Sequence, residues 1–218
     1  MNVAFFDLDG TLLDGDTDIL WGQVLSEHGV FDPETTAAFQ SGYSSGNLDA
    51  EDFVARFLSP LSEHGEEACQ PWLRELLEDH VFPSLRAEAL ERLEWHRQSG
   101  HELVLATATN EYLTSPIAEH LQIPHLLASP AEKIHDRYTG QPAGPACFRA
   151  EKLRYATDWL GRRGLEWGQV TSWFYSDSIH DLPLLEAVQN AVAVAPDEDL
   201  LSLATDRGWE ILAKQPMG

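Results

Sequence analysis

Short runs of strand-forming residues, separated by segments of helix length, constrain the fold of this chain most strongly. The runs are VAFF (3–6), ELVLAT (102–107), HLLA (125–128), VTSWFYS (170–176) and AVAVA (191–195). Strands that are buried on both faces have such apolar, β-branched and aromatic compositions. Helices are predicted near 84–98, 111–121, 148–163 and 179–188. This alternation predicts an α/β fold, with a three-layer core around a parallel central sheet.

Residues 14–82 interrupt the alternation. No strand is evident there, and helices are predicted over 17–28, 33–45, 49–59 and 64–79, with Gly and Pro residues between them. We therefore predict a core made of residues 1–13 and 83–218, with a small all-helical cap domain, 14–82, inserted into it. In the core, KIHDRYTGQ predicts a hairpin whose turn is Tyr138-Thr139-Gly140.

The composition limits the partners of the chain. Thirty-six acidic residues against fourteen basic ones give a formal net charge of -22, which argues against nucleic-acid binding because phosphate backbones need clustered Lys and Arg. The acidity predicts a solvated, self-repelling surface, compatible with a saline habitat. No apolar run approaches ~18 residues, so no membrane association is expected. Cys69 and Cys147 match no metal or redox spacing, and we expect a cytoplasmic protein.

The stretch FFDLDGTLL, residues 5–13, carries the strongest chemical signal. Asp7 and Asp9 stand at i and i+2 where an apolar strand ends, so both side chains point the same way, and Gly10 gives the chain room to turn. Two unpaired carboxylates would repel each other, which indicates a cation or a shared proton between them. Ligands of parallel α/β sheets bind at this end of the strands.

Three weaker motifs follow in order. Thr107 in LATATN lies where a strand gives way to a helix, a natural anion site but also a common helix start. Lys152, in CFRAEKLRYA, is one of only three lysines. Asp177 and Asp181, in SDSIHDLPLL, follow a further strand and would suit Mg²⁺, although helix capping explains Asp177 equally well.

This ordered set resembles the haloacid dehalogenase-like phosphatases over essentially the whole chain. A helical insert between the first two motifs is similar to the subgroup that contains phosphoserine phosphatases. The resemblance implies a Rossmann-like core and a Mg²⁺-dependent phosphatase that acts on a small phosphate ester. A phosphotransferase with the same chemistry, and a non-catalytic acidic binding protein of the same fold, remain alternatives, and the chain would be a monomer or a homodimer.

The resemblance also implies a role for each matching residue. Asp7 is the nucleophile and becomes an aspartyl-phosphate, and Asp9 is the general acid and then the base. Asp7, the main-chain carbonyl of Asp9 and Asp177 bind Mg²⁺, while Asp181 orients metal waters or Lys152. The phosphoryl oxygens are bound by Thr107, the N–H of Ala108 and Lys152, whose charge offsets like-charge repulsion.

Substrate selection is expected to come from the cap. Asp16 either caps the first inserted helix or faces the mouth of the site, at a position similar to that of a glutamate in phosphoserine phosphatases. Trp21 and Tyr43 are candidate stacking partners or core residues, Arg56 is displaced by one position from the family's arginine, and His180 either lines the pocket or lies on a helix surface. Because the cap is acidic, we expect an amino-alcohol phosphate such as histidinol phosphate, phosphoethanolamine or phosphoserine.

Overall fold

The fold was taken from a computed structural model, which describes residues 1–32 and 49–212. The predicted helix 33–45 and Tyr43 lie outside these residues. The strands are β1 Asn2–Phe6, β2 Glu102–Asn110, β3 His125–Ser129, β4 Ala131–Ile134, β5 Arg137–Pro142, β6 Thr171–Ser176, β7 Asn190–Val194 and β8 Glu210–Leu212. The helices are α1 Thr17–Glu27, α2 Ala50–His64, α3 Glu66–Glu75, α4 Ala87–Gln98, α5 Glu111–His120, α6 Ala150–Gly161, α7 Leu182–Ala187 and α8 Glu198–Arg207.

Six strands form one parallel sheet in the order β3-β2-β1-β6-β7-β8. The strand order reverses at β1, which pairs with β2 on one side and with β6 on the other. Such a reversal opens a crevice at the carboxyl ends of the strands. The predicted parallel α/β fold is confirmed, and α8 and β8 extend it beyond the elements that the sequence indicated.

Alternate residues of β1 enter two different hydrophobic clusters, as expected for a strand with helices on both faces. Val3 and Phe5 pack in the cluster that includes Trp159 of α6 and residues of α7 and α8. Ala4 and Phe6 pack in the other cluster, which includes residues of α4 and α5 and continues into α1, α2 and α3. The sheet is thus the middle layer of three.

From Thr17 to Ser84, the described residues are mainly helical, and α3 continues into a π-helical turn at Leu76–Val81 and a 3₁₀ turn at Phe82–Ser84. The two connections to this insert run side by side, since the N–H of Asp14 donates to the Ser84 carbonyl and that of Arg86 to Leu12. α2 does not end before Pro60, as predicted, but continues to His64. Burial of Leu58 and Leu61 favours the longer helix.

The hairpin β4–β5 is confirmed, but the predicted turn at Tyr138-Thr139-Gly140 is wrong. The strands are joined by His135 and Asp136, which both have positive φ (51° and 60°), as tight hairpin turns require. Gly140 lies inside β5, and a Cβ there would come within 2.6 Å of Ser62 Oγ in α2. The absence of a side chain at Gly140 therefore allows the hairpin to pack closely against α2.

Candidate active site

Lys152 links two carboxylates that leave neighbouring strands. Its Nζ donates to Asp7 Oδ1 at 2.9 Å and to Asp181 Oδ2 at 2.7 Å. Asp7 follows β1 directly, Asp181 closes a short 3₁₀ turn after β6, and Lys152 projects from the first turn of α6. Only 3% of Lys152 is exposed. Ser176, the last residue of β6, also donates to Asp181 Oδ2 at 2.8 Å, which fixes that carboxylate beneath the lysine.

Asp9 is held by two threonines from different parts of the chain. Its Oδ1 accepts from the main-chain N–H of Thr17 at 2.7 Å and from the Thr17 hydroxyl at 2.5 Å. Its Oδ2 accepts from the hydroxyl of Thr109 in β2 at 2.8 Å. Thr17 is the first residue of α1, so Asp9 binds the positive end of the first inserted helix. These contacts fix the orientation of the carboxyl that the sequence predicts to act as acid and base.

Asp177 follows β6 and faces the turn that Gly10 makes. Gly10 has φ +74°, and a Cβ there would lie 2.1 Å from Asp177 Oδ2. The hydroxyl of Thr11 donates to the other oxygen, Oδ1, at 3.1 Å. Glycine is required here because only its missing side chain lets the first motif approach the carboxylate of the fourth.

The predicted anion site at Thr107 lies inside β2 and not at its end, because the strand continues to Asn110, with a register shift between Ala106 and Asn110. Thr107 is fully buried, and its hydroxyl accepts from the N–H of Thr109 at 3.2 Å. Ser129 of β3 donates to the Ala108 carbonyl at 2.5 Å. Hydrogen bonds within β2 and from β3 therefore fix this segment at the end of the sheet where Asp7 lies.

The acids of the site outnumber the cation beside them. Burial raises the pKa of Asp7 well above its usual range, and the carboxylates of Asp181, Asp177 and Asp9 add to the effect against the opposing charge of Lys152. Burial also raises the pKa of Asp177 to about 6. The pKa of Lys152 is raised, because the two carboxylates outweigh its burial. For Asp7 to be ionised, the site needs more positive charge than the lysine supplies.

A hard divalent cation fits this requirement, since the available ligands are carboxylate and carbonyl oxygens. No group of three or more acidic, His or Cys side chains that could hold a metal ion by themselves occurs within 1–32 and 49–212. The predicted set needs two side chains only, those of Asp7 and Asp177, together with the main-chain carbonyl of Asp9. The raised pKa values of the two side chains are the electrostatic condition that a bound cation would relieve.

These motifs coincide with a known family. The model of the haloacid dehalogenase-like hydrolases matches residues 4–186. The chain belongs to this family.

Haloacid dehalogenase-like relatives match this chain over nearly its full length. A histidinol-phosphatase from Neisseria meningitidis is 33% identical over 97% of this chain and 98% of its own. Phosphoserine phosphatase SerB1 from Mycobacterium tuberculosis is 30% identical over 95% of this chain and 69% of its own. These relatives are phosphatases by name, in agreement with the predicted enzyme class, a phosphoric monoester hydrolase.

Solved structures agree on the haloacid dehalogenase-like fold. A Bordetella pertussis protein with unknown function covers 98% of this chain and 99% of its own, with a TM-score of 0.92 and 35% identity. A substrate-bound phosphoserine phosphatase covers 98% of this chain and 93% of its own, with a TM-score of 0.68 and 15% identity. The second likeness concerns the fold alone.

A small cavity of about 60 Å³ opens between the motifs and the inserted helices. Asp16 faces it and also caps α1, its Oδ1 accepting from the N–H of Ile19 at 2.9 Å. The two interpretations of Asp16 are therefore compatible. The described lining contains four aspartates and no basic residue: Asp7, Asp9, Asp16, Asp18, Ala50, Phe53, Val54, Ala108, Thr109, Ala146 and Phe148.

The other predicted substrate-contacting residues, Trp21, Arg56 and His180, are not part of the described lining. Trp21 is fully buried in the hydrophobic core and donates from Nε1 to the Phe57 carbonyl at 3.1 Å, so the core alternative applies to it. Arg56 stacks over the Phe31 ring at 4.2 Å. His180 is exposed, and its ring meets the edge of Phe148, a lining residue, at 5.5 Å.

Thr17, Asp18 and Thr109 also contribute to the site, although none of them was predicted from the sequence. Asp18 and Thr109 are joined through the Thr109 hydroxyl at 2.9 Å, although 91 positions separate them in the chain. In sequence, Asp18 is an acid in the first turn of a helix and Thr109 precedes a helix start, both ordinary capping signals. The signal in the sequence is the second threonine of LATATN, which places another hydroxyl two residues after Thr107, on the same side of a strand.

No helix in the part of the chain that the structure describes has the length and apolarity needed to cross a membrane.

Proposed function

We propose that the protein is a Mg²⁺-dependent phosphomonoesterase that works through an aspartyl-phosphate on Asp7. The observation that carries the proposal is the contact of Lys152 Nζ with Asp7 Oδ1, at the strand ends where Asp9 and Asp177 also lie. Mg²⁺, held by Asp7, Asp177 and the carbonyl of Asp9, would supply the charge that screens a phosphate ester from the carboxylate that attacks it.

The side chains divide the remaining work. Lys152 keeps Asp7 ionised and neutralises the phosphoryl group as it arrives. Asp7 Oδ attacks phosphorus and the ester oxygen leaves, taking a proton from Asp9. Asp9 then removes a proton from the water that hydrolyses the aspartyl-phosphate. Its bonds to Thr17 and Thr109 keep it oriented for both steps.

We propose an amino-alcohol phosphate as the substrate. Asp16 and Asp18 line the cavity with no basic residue among its described lining, which favours a substrate that carries a cationic group beyond its phosphate. Phe53 and Phe148 supply apolar surface beside the acids, as the imidazole and ammonium of histidinol phosphate would require. The relative from Neisseria meningitidis that is named histidinol-phosphatase supports this choice.

Residues 14–82 are proposed to be the cap that selects this substrate and excludes water. We further propose a cytoplasmic enzyme that acts as a monomer or a homodimer. Cys69 and Cys147 support the reducing compartment, because both are buried free thiols.

The test is a screen of phosphorylated metabolites with Mg²⁺, comparing the wild type with Asp7→Asn and with the surface control Asp206→Asn. We expect wild-type and control activity on amino-alcohol phosphates, and at least a thousandfold loss in Asp7→Asn because the nucleophile is removed. Equal rates for the wild type and Asp7→Asn would contradict the enzyme and favour a binding protein. Clear preference for sugar or nucleotide phosphates would contradict the substrate class alone.

A further inference from the structure

Asp18 is a buried acid in the first turn of a helix, which is an unusual place for a buried carboxyl. It stands in the first turn of α1, where a carboxylate normally faces water and interacts with the helix dipole. Here only 6% of the residue is exposed, and its Oδ2 lies 2.9 Å from the hydroxyl of Thr109 on the central sheet. Burial of a carboxyl costs free energy unless a specific interaction compensates for it.

The same hydroxyl also lies 2.8 Å from Asp9 Oδ2. A threonine hydroxyl has one hydrogen to donate, whereas an ionised carboxylate has none. The two contacts are separate two-centre hydrogen bonds only if one of the two carboxyls carries a proton and donates it to Thr109 Oγ1. The direction of this chain of bonds therefore depends on which aspartate is neutral.

The surroundings favour a neutral Asp18. Burial raises the pKa of Asp18 well above its usual range, and the nearby carboxylates of Asp16 and Asp9 raise it further. In the proposed reaction, moreover, Asp9 keeps its proton for the leaving group and has none to give to Thr109, while its Oδ1 accepts from Thr17. With Asp18 as the donor to Thr109, the hydrogen of Thr109 must point to Asp9.

We propose that Asp18 is a positioning residue for the hydrolysis, acting through Thr109 to orient the carboxyl of Asp9 towards the leaving group. The inference rests on the proposed function. The first inserted helix thereby contacts Asp9 twice, directly through Thr17 and indirectly through Asp18. Leaving-group protonation consequently depends on how α1 sits against β2.

The proposal predicts which step of the reaction weakens. An alkyl phosphate needs a proton on its leaving oxygen, whereas the nitrophenolate of p-nitrophenyl phosphate departs without one. In Asp18→Leu and Thr109→Val, we expect release of the alcohol from an alkyl phosphate to slow by about ten- to a hundredfold. The first-turnover burst of nitrophenol should change by less than about threefold, as expected if only the acid is disturbed.

Conservative replacements provide the matched controls. Asp18→Asn keeps a group that donates to Thr109, and Thr109→Ser keeps the hydroxyl, so both should recover most of the alkyl-ester rate. The double variant Asp18→Leu/Thr109→Val should lose no more than either single variant, because the two residues act as one chain. Circular dichroism and thermal unfolding would verify that each variant is folded.

The outcomes separate this inference from the proposed function. If the wild type hydrolyses no phosphate ester, the proposed function fails and the role of Asp18 fails with it. If the wild type is active but the folded variants lose alkyl and aryl rates equally, or retain both, only the positioning role is overturned. A selective loss with the alkyl ester, recovered in Asp18→Asn and Thr109→Ser, supports the role.

Discussion

Lys152 illustrates how a single buried cation organises this site. Its ammonium satisfies Asp7 and Asp181 at once, at 2.9 and 2.7 Å, and both carboxylates are nearly inaccessible to solvent. Removal of one partner from such a buried group leaves an uncompensated charge. One of the three lysines of the chain therefore occupies a buried position between two carboxylates, where a basic residue on the surface could not replace it.

Lys152→Arg tests this geometry. A guanidinium is planar and bulkier than an ammonium, so it cannot take the compact position between two carboxylates that Nζ occupies. We expect kcat to fall by about a hundredfold or more, whereas Lys133→Arg, at an exposed lysine 3.8 Å from Glu66, should leave kcat unchanged. Steady-state kinetics measure both. A near wild-type rate for Lys152→Arg would transfer the role to Arg149 or Arg154, although Arg154 pairs with Glu151 and Asp158 on the surface.

At the level of elements, the sequence predicted the features that depend on local residue patterns and missed those that depend on contacts between distant residues. Parallel strands expose their ends at one edge of a sheet, so Asp7 and Asp177 could be assigned to one place before the structure was known, whereas Lys152 was assigned to it by the family resemblance. Asp18 could not, because its partner Thr109 lies on a distant strand and neither residue departs from ordinary capping composition. The hairpin turn was misplaced because His135 and Asp136 adopt the positive φ that glycine usually supplies.

The contact between α4 and β6 makes stability depend on pH. His96 is fully buried on α4, with Nε2 2.9 Å from the Tyr175 hydroxyl and Nδ1 2.7 Å from His101 Nδ1. Burial, and next the charges of His101 and Arg92, lower the pKa of His96 from 6.5 to about 4. The unfolded chain therefore binds a proton at His96 more readily than the folded chain does.

From this difference, the stabilisation by neutral His96 is fully present above about pH 6.5 and is lost as the pH falls towards 4. Between pH 7 and 4.5, we expect the free energy of unfolding to decrease by about 2 kcal/mol more in the wild type than in His96→Gln. Urea unfolding of both proteins at the two pH values gives the comparison. Equal pH dependence of the two proteins would contradict a depressed pKa at His96.

For the molecule as a whole, the charge balance outweighs individual ion pairs. Thirty-six acidic residues face fourteen basic ones, so most surface carboxylates cannot be paired with a Lys or Arg. Exposed pairs such as Arg207–Glu186 contribute little, whereas the unpaired carboxylates repel one another in the compact state. Salt should therefore screen more repulsive than attractive interactions between surface charges, and so stabilise the folded chain.

Thermal unfolding in 0.05 M and 1 M NaCl tests this balance. At 1 M salt the Debye length falls to about 3 Å, which screens exposed charges. We expect the midpoint of unfolding, Tm, to rise by about 3 °C or more, since 1 kcal/mol corresponds to about 2–4 °C for a chain of this size. Repeating the scans with a chelator and with KCl separates general screening from binding of a divalent cation at Asp7 and Asp177. A Tm that falls with salt would mean that ion pairs, rather than the net charge, dominate the surface.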